Sequence, residues 1–466
     1  MTDSPKKTID TNENPNADGP PRPLWAKDGL EIDPAIVRYC AGEDWKLDAR
    51  LLGCDLRGTL AHVSGLREIN ALSANEAEAL QKELRTLLAE HEAGTFLPTP
   101  DDEDGHSAIE RVLCERLGDV GKKVHLGRSR NDQVLTATRL WLKEQLATAA
   151  SLCVKSAETA FQRAEKLQGA YLPGYTHLQR AVPSTVGYWF AGHGESLLED
   201  AEALWAASDL IDASPLGTAA GYGVNLPLAR DLCAGELGFS RLIVNGLAAQ
   251  NGRGRLEAHA LSALLCAMGT VRRLAWDLSL FSMSELGFVR LPEAYTTGSS
   301  IMPNKRNPDV VEIMRAAFGD VAGAHAAILQ VIALPSGYQR DTQRTKQPMM
   351  QSVAVALDTL FLLPTLLSEL HFDAERANAA VDAGMLATDR AVELSVGGMP
   401  FRDAYRQVAH ELKANDDAAD EEVLKKGAVQ SVAGRISLGG PGNLALERLR
   451  QRAHSLTQGR ASLPPE

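Results

Sequence analysis

Apolar residues recur at intervals of three and four positions along three long stretches of the chain. Residues 128–168 contain neither glycine nor proline, and residues 255–285 carry a comparable apolar stripe. A third stretch follows Asn307, Pro308 and Asp309, which read as an N-cap, a first-turn proline and a first-turn acid. This spacing places apolar side chains on one helix face. It predicts long helices, the second of them about 45 Å in length.

Alternating apolar and polar positions are sparse, so we expect few strands and an all-α fold. Helices this long need other helices or other subunits to cover their apolar faces, which predicts a helical bundle. We expect a disordered tail over residues 1–23, a helical domain over 24–127, a central long-helix bundle over 128–376 and a small helical domain over 377–466.

Composition narrows the class of ligand. The 60 acidic and 48 basic residues give a net charge of -12, which argues against a general nucleic-acid binder. Six cysteines without metal-type spacing predict free thiols and no zinc site. We find no apolar run approaching the roughly 20 residues of a membrane span. Because the net charge is negative, an anionic ligand would need a local cluster of positive groups to bind.

Five clusters interrupt the helical pattern and combine hydrogen-bonding side chains with basic or ionisable groups. They are DDEDGHSAIE (101–110), GRSRNDQ (127–133), PGYTHLQRAVP (173–183), GSSIMPNKRNP (298–308) and PSGYQRDTQRTK (335–346). Backbone N–H groups at helix starts favour anions. The clusters predict a small ligand rich in carboxylates.

Each cluster also has a structural interpretation. GRSRNDQ is compatible with a solvated helix start, His177 with a polar residue at a bend, and the trio Tyr338, Gln343 and Lys346 with a polar helix face. On the residues alone these alternatives stay open. GSSIMPNKRNP favours function, because a turn needs its glycine or proline but has no need of Ser299, its neighbouring serine and a lysine between them.

These groups suit general acid-base chemistry on a carboxylate substrate. Serine is a poor base at its free pKa, but a nearby cation and backbone N–H groups stabilise its alkoxide. Lys305 lies close to Ser299 in sequence, and the following helix points its positive end at the loop. His177 can donate a proton near neutral pH if a carboxylate orients it.

The loop GSSIMPNKRNP matches the GSSxMPxKxNP signature of the fumarase/aspartase superfamily. GRSRNDQV, PGYTHLQRAVP, DEDGHSAIE, GDVGKKVHLGRSRND and MLATDRAVELSVGGMPFRDAY resemble the argininosuccinate lyase family within it. The resemblance extends from about residue 24 to about residue 450. It implies reversible β-elimination of argininosuccinate to arginine and fumarate in arginine biosynthesis, without metal or organic cofactor.

The resemblance also implies roles for individual residues. Ser299 would be the base, Lys305 would stabilise the resulting anion, and His177 would pair with Glu312. The implied substrate-binding residues are Ser129, Arg130, Asn131, Thr176, Asn307, Tyr338, Gln343, Lys346, His106 and Asp44. Asp44 takes a family contact position within AGEDWKLD, where other members carry Asn-x-Ser.

The fold implied by the resemblance has three helical domains and assembles as a cytoplasmic homotetramer around a 20-helix core. Each active site would draw on three subunits, with no nucleic acid or membrane partner. Two alternatives remain: another fumarate-releasing lyase, such as adenylosuccinate lyase, and a non-catalytic crystallin-like relative. Presence of Ser299, Lys305, His177 and Glu312 favours an enzyme over the crystallin-like alternative.

Overall fold

The computed structural model describes residues 33–414, 421–458 and 460, and the predicted tail over 1–23 lies outside them. Over the described residues the chain is predominantly helical, which confirms the all-α prediction. The helices are α1 (Pro34–Ala41), α2 (Asp44–Asp48), α3 (Leu52–Glu68), α4 (Ala74–Glu92), α5 (Gly105–Leu117), α6 (Asp119–Lys122), α7 (Arg130–Leu167), α8 (Val186–Ile211), α9 (Arg230–Glu236), α10 (Gly246–Asn251), α11 (Arg255–Phe281), α12 (Asp309–Val331), α13 (Lys346–Glu369), α14 (Ala374–Ala379), α15 (Ala387–Val396), α16 (Phe401–Ala414), α17 (Glu421–Gly434) and α18 (Leu446–Thr457).

Strands are short and pair only in twos among the described residues. Antiparallel pairs join β1 (Tyr171–Thr176) to β2 (Gln179–Thr185), β5 (Val289–Arg290) to β8 (His371–Phe372) and β6 (Thr297–Gly298) to β7 (Arg306–Asn307), and a parallel pair joins β3 (Ala213–Ser214) to β4 (Arg241–Leu242). Short 3-10 helices span Pro100–Asp102, Lys123–His125, Glu293–Tyr295, Arg340–Thr345 and Ala383–Leu386. The strands of functional interest are the two hairpins β1/β2 and β6/β7.

The long predicted helices are present, with small differences at their ends. Helix α7 ends at Leu167, two residues before Gly169. Helix α11 begins directly after Gly254, whose φ of 75° suits a glycine. Helix α12 begins at Asp309 rather than at the predicted Pro308, and Asn307 does not cap it because that residue belongs to β7.

One compact unit consists of Met1–Thr138 and Ala213–Gln250. Its core lies between α3, α4 and α5, where apolar side chains repeat every three or four residues. A capping box between Ser73 and Glu76 fixes the start of α4. The fully buried core residues include Leu52, Leu56, Val63, Leu66, Leu80, Leu84, Leu87 and Leu113.

The other compact unit consists of Arg139–Asp212 and Asn251–Glu466. Here α11 packs against α8, α12 and α13. The apolar stripe read from the sequence is its buried face, which includes Leu261, Leu264, Met268, Val271, Leu274 and Leu278. The three-domain division of the sequence stays a prediction.

The prediction that no apolar run approaches the length of a membrane span is wrong for the segment Arg340–Glu369. Its length and composition by themselves would suit a membrane span. The segment contains α13, whose interior includes Pro364. About half of its most apolar part, 56%, is buried in the chain. Helix α13 packs on α11 and α12, so its apolar residues contribute to a helical core.

Candidate active site

The GSSIMPNKRNP loop is closed by a small hairpin. Strands β6 and β7 pair Thr297 with Asn307 and Gly298 with Arg306. Asn307 reinforces this closure, since its side-chain amide donates to the Gly298 carbonyl at 3.4 Å. The pairing holds the two ends of the loop side by side. It therefore places the serine and the lysine of the motif on opposite arms of one short hairpin.

Inside this hairpin the hydroxyl oxygen of Ser299 faces backbone donors. It accepts a hydrogen bond from the N–H of Met302 at 3.1 Å and a longer one from the N–H of Ile301 at 3.4 Å. Lys305 is exposed, and its own N–H donates to the Met302 carbonyl at 3.1 Å. Donors aimed at a hydroxyl oxygen stabilise negative charge on it. The loop therefore has the local electrostatics that a serine base requires.

The start of α12 carries the predicted partner of the histidine. Glu312 is exposed and forms an ion pair with Arg315 at 3.3 Å. The Arg315 guanidinium in turn lies over the Trp276 ring, 4.2 Å from its centroid. Within the described part of one chain, Glu312 forms no ion pair with His177. The expected pairing of these two residues is thus not made inside a single chain.

His177 occupies the tip of the β1/β2 hairpin. His177 and Leu178 have φ angles of 54° and 58°, so both central residues of the two-residue turn are left-handed. Neither is a glycine, and each such residue costs on the order of 1 kcal/mol or more. Thr176 pairs with Gln179 at the hairpin end, and Thr176 and His177 are exposed. The strained turn holds the imidazole out from the chain.

A cavity of about 730 Å³ opens beside this hairpin, and His177 is one of its lining residues. Its wall includes a polar constellation that the sequence reading missed. Trp189 donates its indole N–H to Asp277 at 2.9 Å, and the His193 Nε2 lies 3.1 Å from the same carboxylate oxygen. Trp189 and His193 stand four residues apart on α8, a spacing that places them on one helix face. This four-residue spacing is the feature of the sequence from which the pairing of Trp189 and His193 on one helix face could be predicted.

The turn GRSRNDQ lies in the other compact unit, at the start of α7. Ser129 precedes the helix, and its hydroxyl accepts from the Asn131 N–H at 3.3 Å. Asp132, fully buried, accepts from the Ser129 N–H at 2.9 Å. The turn therefore forms the start of a helix, as its structural interpretation predicts. Ser129 and Asn131 are nevertheless partly exposed.

The two arginines of this turn have different environments. Arg130 is partly exposed and forms ion pairs with Glu103 at 3.2 Å and Asp104 at 3.1 Å. Arg128, which the sequence reading did not single out, is buried and donates to the Thr59 hydroxyl at 2.9 Å. Burial lowers the pKa of Arg128, and nearby Asp55 opposes that effect. Only Arg130 of the pair is accessible to a ligand in the described unit.

His106 and Asp44 are buried in the same unit. His106 forms an ion pair with the buried Asp55. Burial by itself would lower the pKa of His106, but the Asp55 carboxylate, with Asp104 and Asp48, raises it above its ordinary value. His106 therefore anchors a buried charge cluster. Asp44 is only 8% exposed, so little of its side chain is available for the predicted contact with substrate.

The last predicted group follows α12. Tyr338 and Gln343 are partly exposed, whereas Lys346 is only 3% exposed at the start of α13. The preceding turn is tied down by Asn251, which accepts from the Gly337 N–H at 2.8 Å. This anchor fixes the backbone next to Tyr338.

The predicted residues fall into two sets, one in each compact unit. The first set contains Asp44, His106, Ser129, Arg130 and Asn131, and the second contains Thr176, His177, Ser299, Lys305, Asn307, Glu312, Tyr338, Gln343 and Lys346. Local hydrogen bonds unite Ser299 with the hairpin that carries Lys305 and Asn307. Among the described residues, no hydrogen bond or ion pair joins this hairpin to His177.

Comparisons with known proteins agree with the fold and the motifs. A family model described as a lyase matches residues 40–323. The chain is 54% identical to an argininosuccinate lyase of Sorangium cellulosum, covering 92% of this chain and 98% of that one. It is 48% identical to an argininosuccinate lyase of Stenotrophomonas maltophilia, covering 93% and 99%.

Solved structures resemble the chain at lower identity. An EDDS lyase in complex with formate has a TM-score of 0.75 at 23% identity, covering 92% of this chain and 90% of that one. A class II fumarase from Schistosoma mansoni has a TM-score of 0.70 at 16% identity, covering 91% and 95%. These likenesses support the helical fold.

Proposed function

The chain belongs to the argininosuccinate lyase family of the fumarase/aspartase superfamily, and we propose that it converts argininosuccinate reversibly to arginine and fumarate by general acid-base catalysis. The observation that carries the catalytic assignment is the pair of backbone N–H donors on the Ser299 hydroxyl oxygen. A serine oxygen commonly accepts such local N–H groups in turns, and the same two donors would stabilise an alkoxide on Ser299.

In the first step, Ser299 as alkoxide takes the proton from the substrate carbon next to a carboxylate. The electron pair of the broken C–H bond moves into that carboxylate, which then carries a second negative charge. Lys305 and Asn307, on the returning arm of the hairpin, stabilise this charge. The ammonium of Lys305 is exposed and therefore free to meet a ligand entering from solvent.

In the second step, the electron pair returns to form the carbon–carbon double bond of fumarate. The bond between carbon and the guanidino nitrogen breaks, and that nitrogen needs a proton to leave as arginine. We assign this proton to His177, directly or through another group. The exposed position of its ring at the strained hairpin tip, beside a cavity, supports the assignment. Glu312 would orient this imidazole and stabilise its charged form.

The remaining predicted residues would bind the substrate. Three carboxylates have to be received, for which partly exposed Arg130 offers a guanidinium and Ser129 a hydroxyl group. Asn131, Thr176, Tyr338 and Gln343 offer neutral hydrogen-bonding groups. Lys346, His106 and Asp44 are buried in the chain, so their contribution would be to position neighbouring groups or to act from within the pocket wall.

A homotetramer with shared sites follows from the same proposal. Glu312 and His177 do not pair within one chain, so their proposed contact requires a second one. The long helices also expose large apolar side chains, among them Ile313 at 71%, Phe361 at 63% and Trp276 at 47%. Large apolar side chains left exposed on long helices support burial of these faces against other subunits. We place the enzyme in the cytoplasm.

Turnover of argininosuccinate against adenylosuccinate tests the substrate. Both would release fumarate, whose absorbance gives the rate. We expect rapid fumarate release from argininosuccinate and none above background from adenylosuccinate. Absence of turnover with argininosuccinate by a folded, oligomeric enzyme would overturn the proposal.

A further inference from the structure

Asp132 makes a connection that neither the motif nor the reaction explains. It is fully buried, and its two carboxylate oxygens accept three backbone N–H groups. One oxygen accepts from Ser129 at 2.9 Å. The other accepts from Gly217 at 3.0 Å and from Ala219 at 2.9 Å. One side chain thus bonds two segments that are more than 80 residues apart in sequence.

Helix capping accounts for only part of this arrangement. An acid in the first turn of α7 that accepts the N–H of the residue before the helix is half of an ordinary capping box. Asp102 shows the same half in the same unit, accepting from the Thr99 N–H at 2.9 Å. The second oxygen of Asp132 has no role in capping. Its two bonds to residues 217 and 219 need another explanation.

The segment that receives these bonds is conformationally constrained. Gly217 has a φ of 82°, and Ala219 has a φ of 49° although it is not a glycine. The Ala219 carbonyl also accepts from the Gln250 side chain at 3.2 Å. A left-handed conformation is unfavourable for alanine, because its Cβ crowds the backbone. The peptide of Ala219 is therefore held in an unfavourable conformation from both sides.

Between these two residues lies a second irregularity. Thr218 is 2% exposed, and its hydroxyl oxygen has no hydrogen-bond partner among the described residues. Buried hydroxyl groups normally have a hydrogen-bond partner, and a buried hydroxyl group without one destabilises the folded state. Strain and an unsatisfied polar group together are more typical of functional segments than of loops selected for stability.

We propose that Asp132 is a positioning residue for the substrate turn. Its carboxylate locks residues 129–131 to residues 217–219, so that the Ser129, Arg130 and Asn131 groups keep fixed places when substrate binds. The inference rests on the proposed substrate role of that turn. A preorganised turn spends less free energy on ordering during binding, so the loss of the lock should weaken substrate affinity first.

The chemistry of the carboxylate explains why asparagine would not suffice. A carboxylate is an acceptor on both oxygens, whereas an asparagine amide has one acceptor oxygen and one NH₂ donor. In Asp132→Asn the NH₂ group must face either the Ser129 N–H or the pair from Gly217 and Ala219. At least one segment is then released at nearly unchanged side-chain volume.

The test compares Asp132→Asn with Asp102→Asn in the full-length oligomer. Wild-type turnover of argininosuccinate is established first, so that failure of the proposed function is recognised separately. We expect the KM of Asp132→Asn to rise at least tenfold with a smaller change in kcat. Asp102→Asn should lower the thermal midpoint but leave KM within twofold. The KM of Asp132→Asn is measured below the thermal midpoint of that variant. A KM within twofold of the wild-type value overturns the proposal.

Two further measurements keep the test decisive if Asp132→Asn does not fold. Gln250→Leu removes only the second tie to Ala219, and we expect its KM to rise at least threefold; an unchanged KM counts against the lock. Argininosuccinate binding by calorimetry in a Ser299→Ala background reports affinity without turnover. There the Gln250→Leu change, which removes the hydrogen bond to the Ala219 carbonyl, should raise the Kd at least threefold, and an unchanged Kd contradicts the proposal.

Discussion

The hydroxyl oxygen of Ser299 accepts the backbone N–H of Met302 at 3.1 Å, within a hairpin whose other arm carries Lys305. This contact places a hydrogen-bond donor where charge would develop on a serine base. It therefore links a local turn to the chemistry proposed for the enzyme.

Ser299→Ala should lower kcat at least about a thousandfold, in the range expected for loss of a general base. KM and the oligomeric state should change little, because the backbone of the hairpin is retained. Steady-state fumarate release and size-exclusion chromatography measure both. Ser300→Ala is the matched control and should retain activity within about tenfold. Comparable activity of the two variants would remove Ser299 as the base.

Glu312→Gln should lower kcat about a hundredfold if Glu312 orients His177 of another subunit. Arg315→Gln should lower it no more than about threefold, because Arg315 is the partner of Glu312 within the chain and has no proposed contact with substrate. Kinetics of both variants separate the two roles. Equal losses would show that Glu312 acts through Arg315 alone.

Mixed oligomers of His177→Asn and Ser299→Ala should regain part of the wild-type activity, although each variant alone is inactive. Sites that take these residues from different subunits include some that receive both intact side chains. Fumarate release after co-assembly, with hybrids confirmed by differently tagged subunits, gives the measurement. Confirmed hybrids without activity would contradict a shared site.

Asp200→Asn should stabilise the enzyme above pH 6. Burial raises the pKa of Asp200 to about 6, although a hydrogen bond with Thr270 acts to lower this pKa. One carboxylate oxygen of Asp200 has no hydrogen-bond partner among the described residues. A carboxyl with a raised folded pKa binds its proton more tightly when folded, so stability is lost as pH rises from about 4 to about 6. Asparagine does not ionise, so the variant should not lose stability over this pH range.

The difference should reach about 2 to 3 kcal/mol in the free energy of unfolding at pH 8 and disappear near pH 4. Urea denaturation across this range provides the comparison. Glu158→Gln, at an exposed position on α7, is the control and should change stability little. A variant no more stable than wild type at pH 8 would show that Asp200 carries no such penalty.

Much of the fold was accessible from local sequence. The apolar period of residues 255–285 predicted α11 to within four residues, because burial of one helix face repeats with the turn of the helix. The predicted start of α12, with Asn307 as the N-cap, is one residue early, because pairing of β7 with β6 competes with capping for that residue. The serine, lysine and asparagine of the hairpin were recognisable because they lie within nine residues.

The sequence by itself determined the helical class, the motifs and the types of group available for catalysis, since each depends on residues close along the chain. Only the tertiary structure decided that His106 is buried against Asp55 and that Trp189 and His193 meet Asp277. It alone joined Asp132 to residues 217 and 219. These relationships connect residues 51 to 88 positions apart, and no local period encodes such a distance, because it results from how the helices pack.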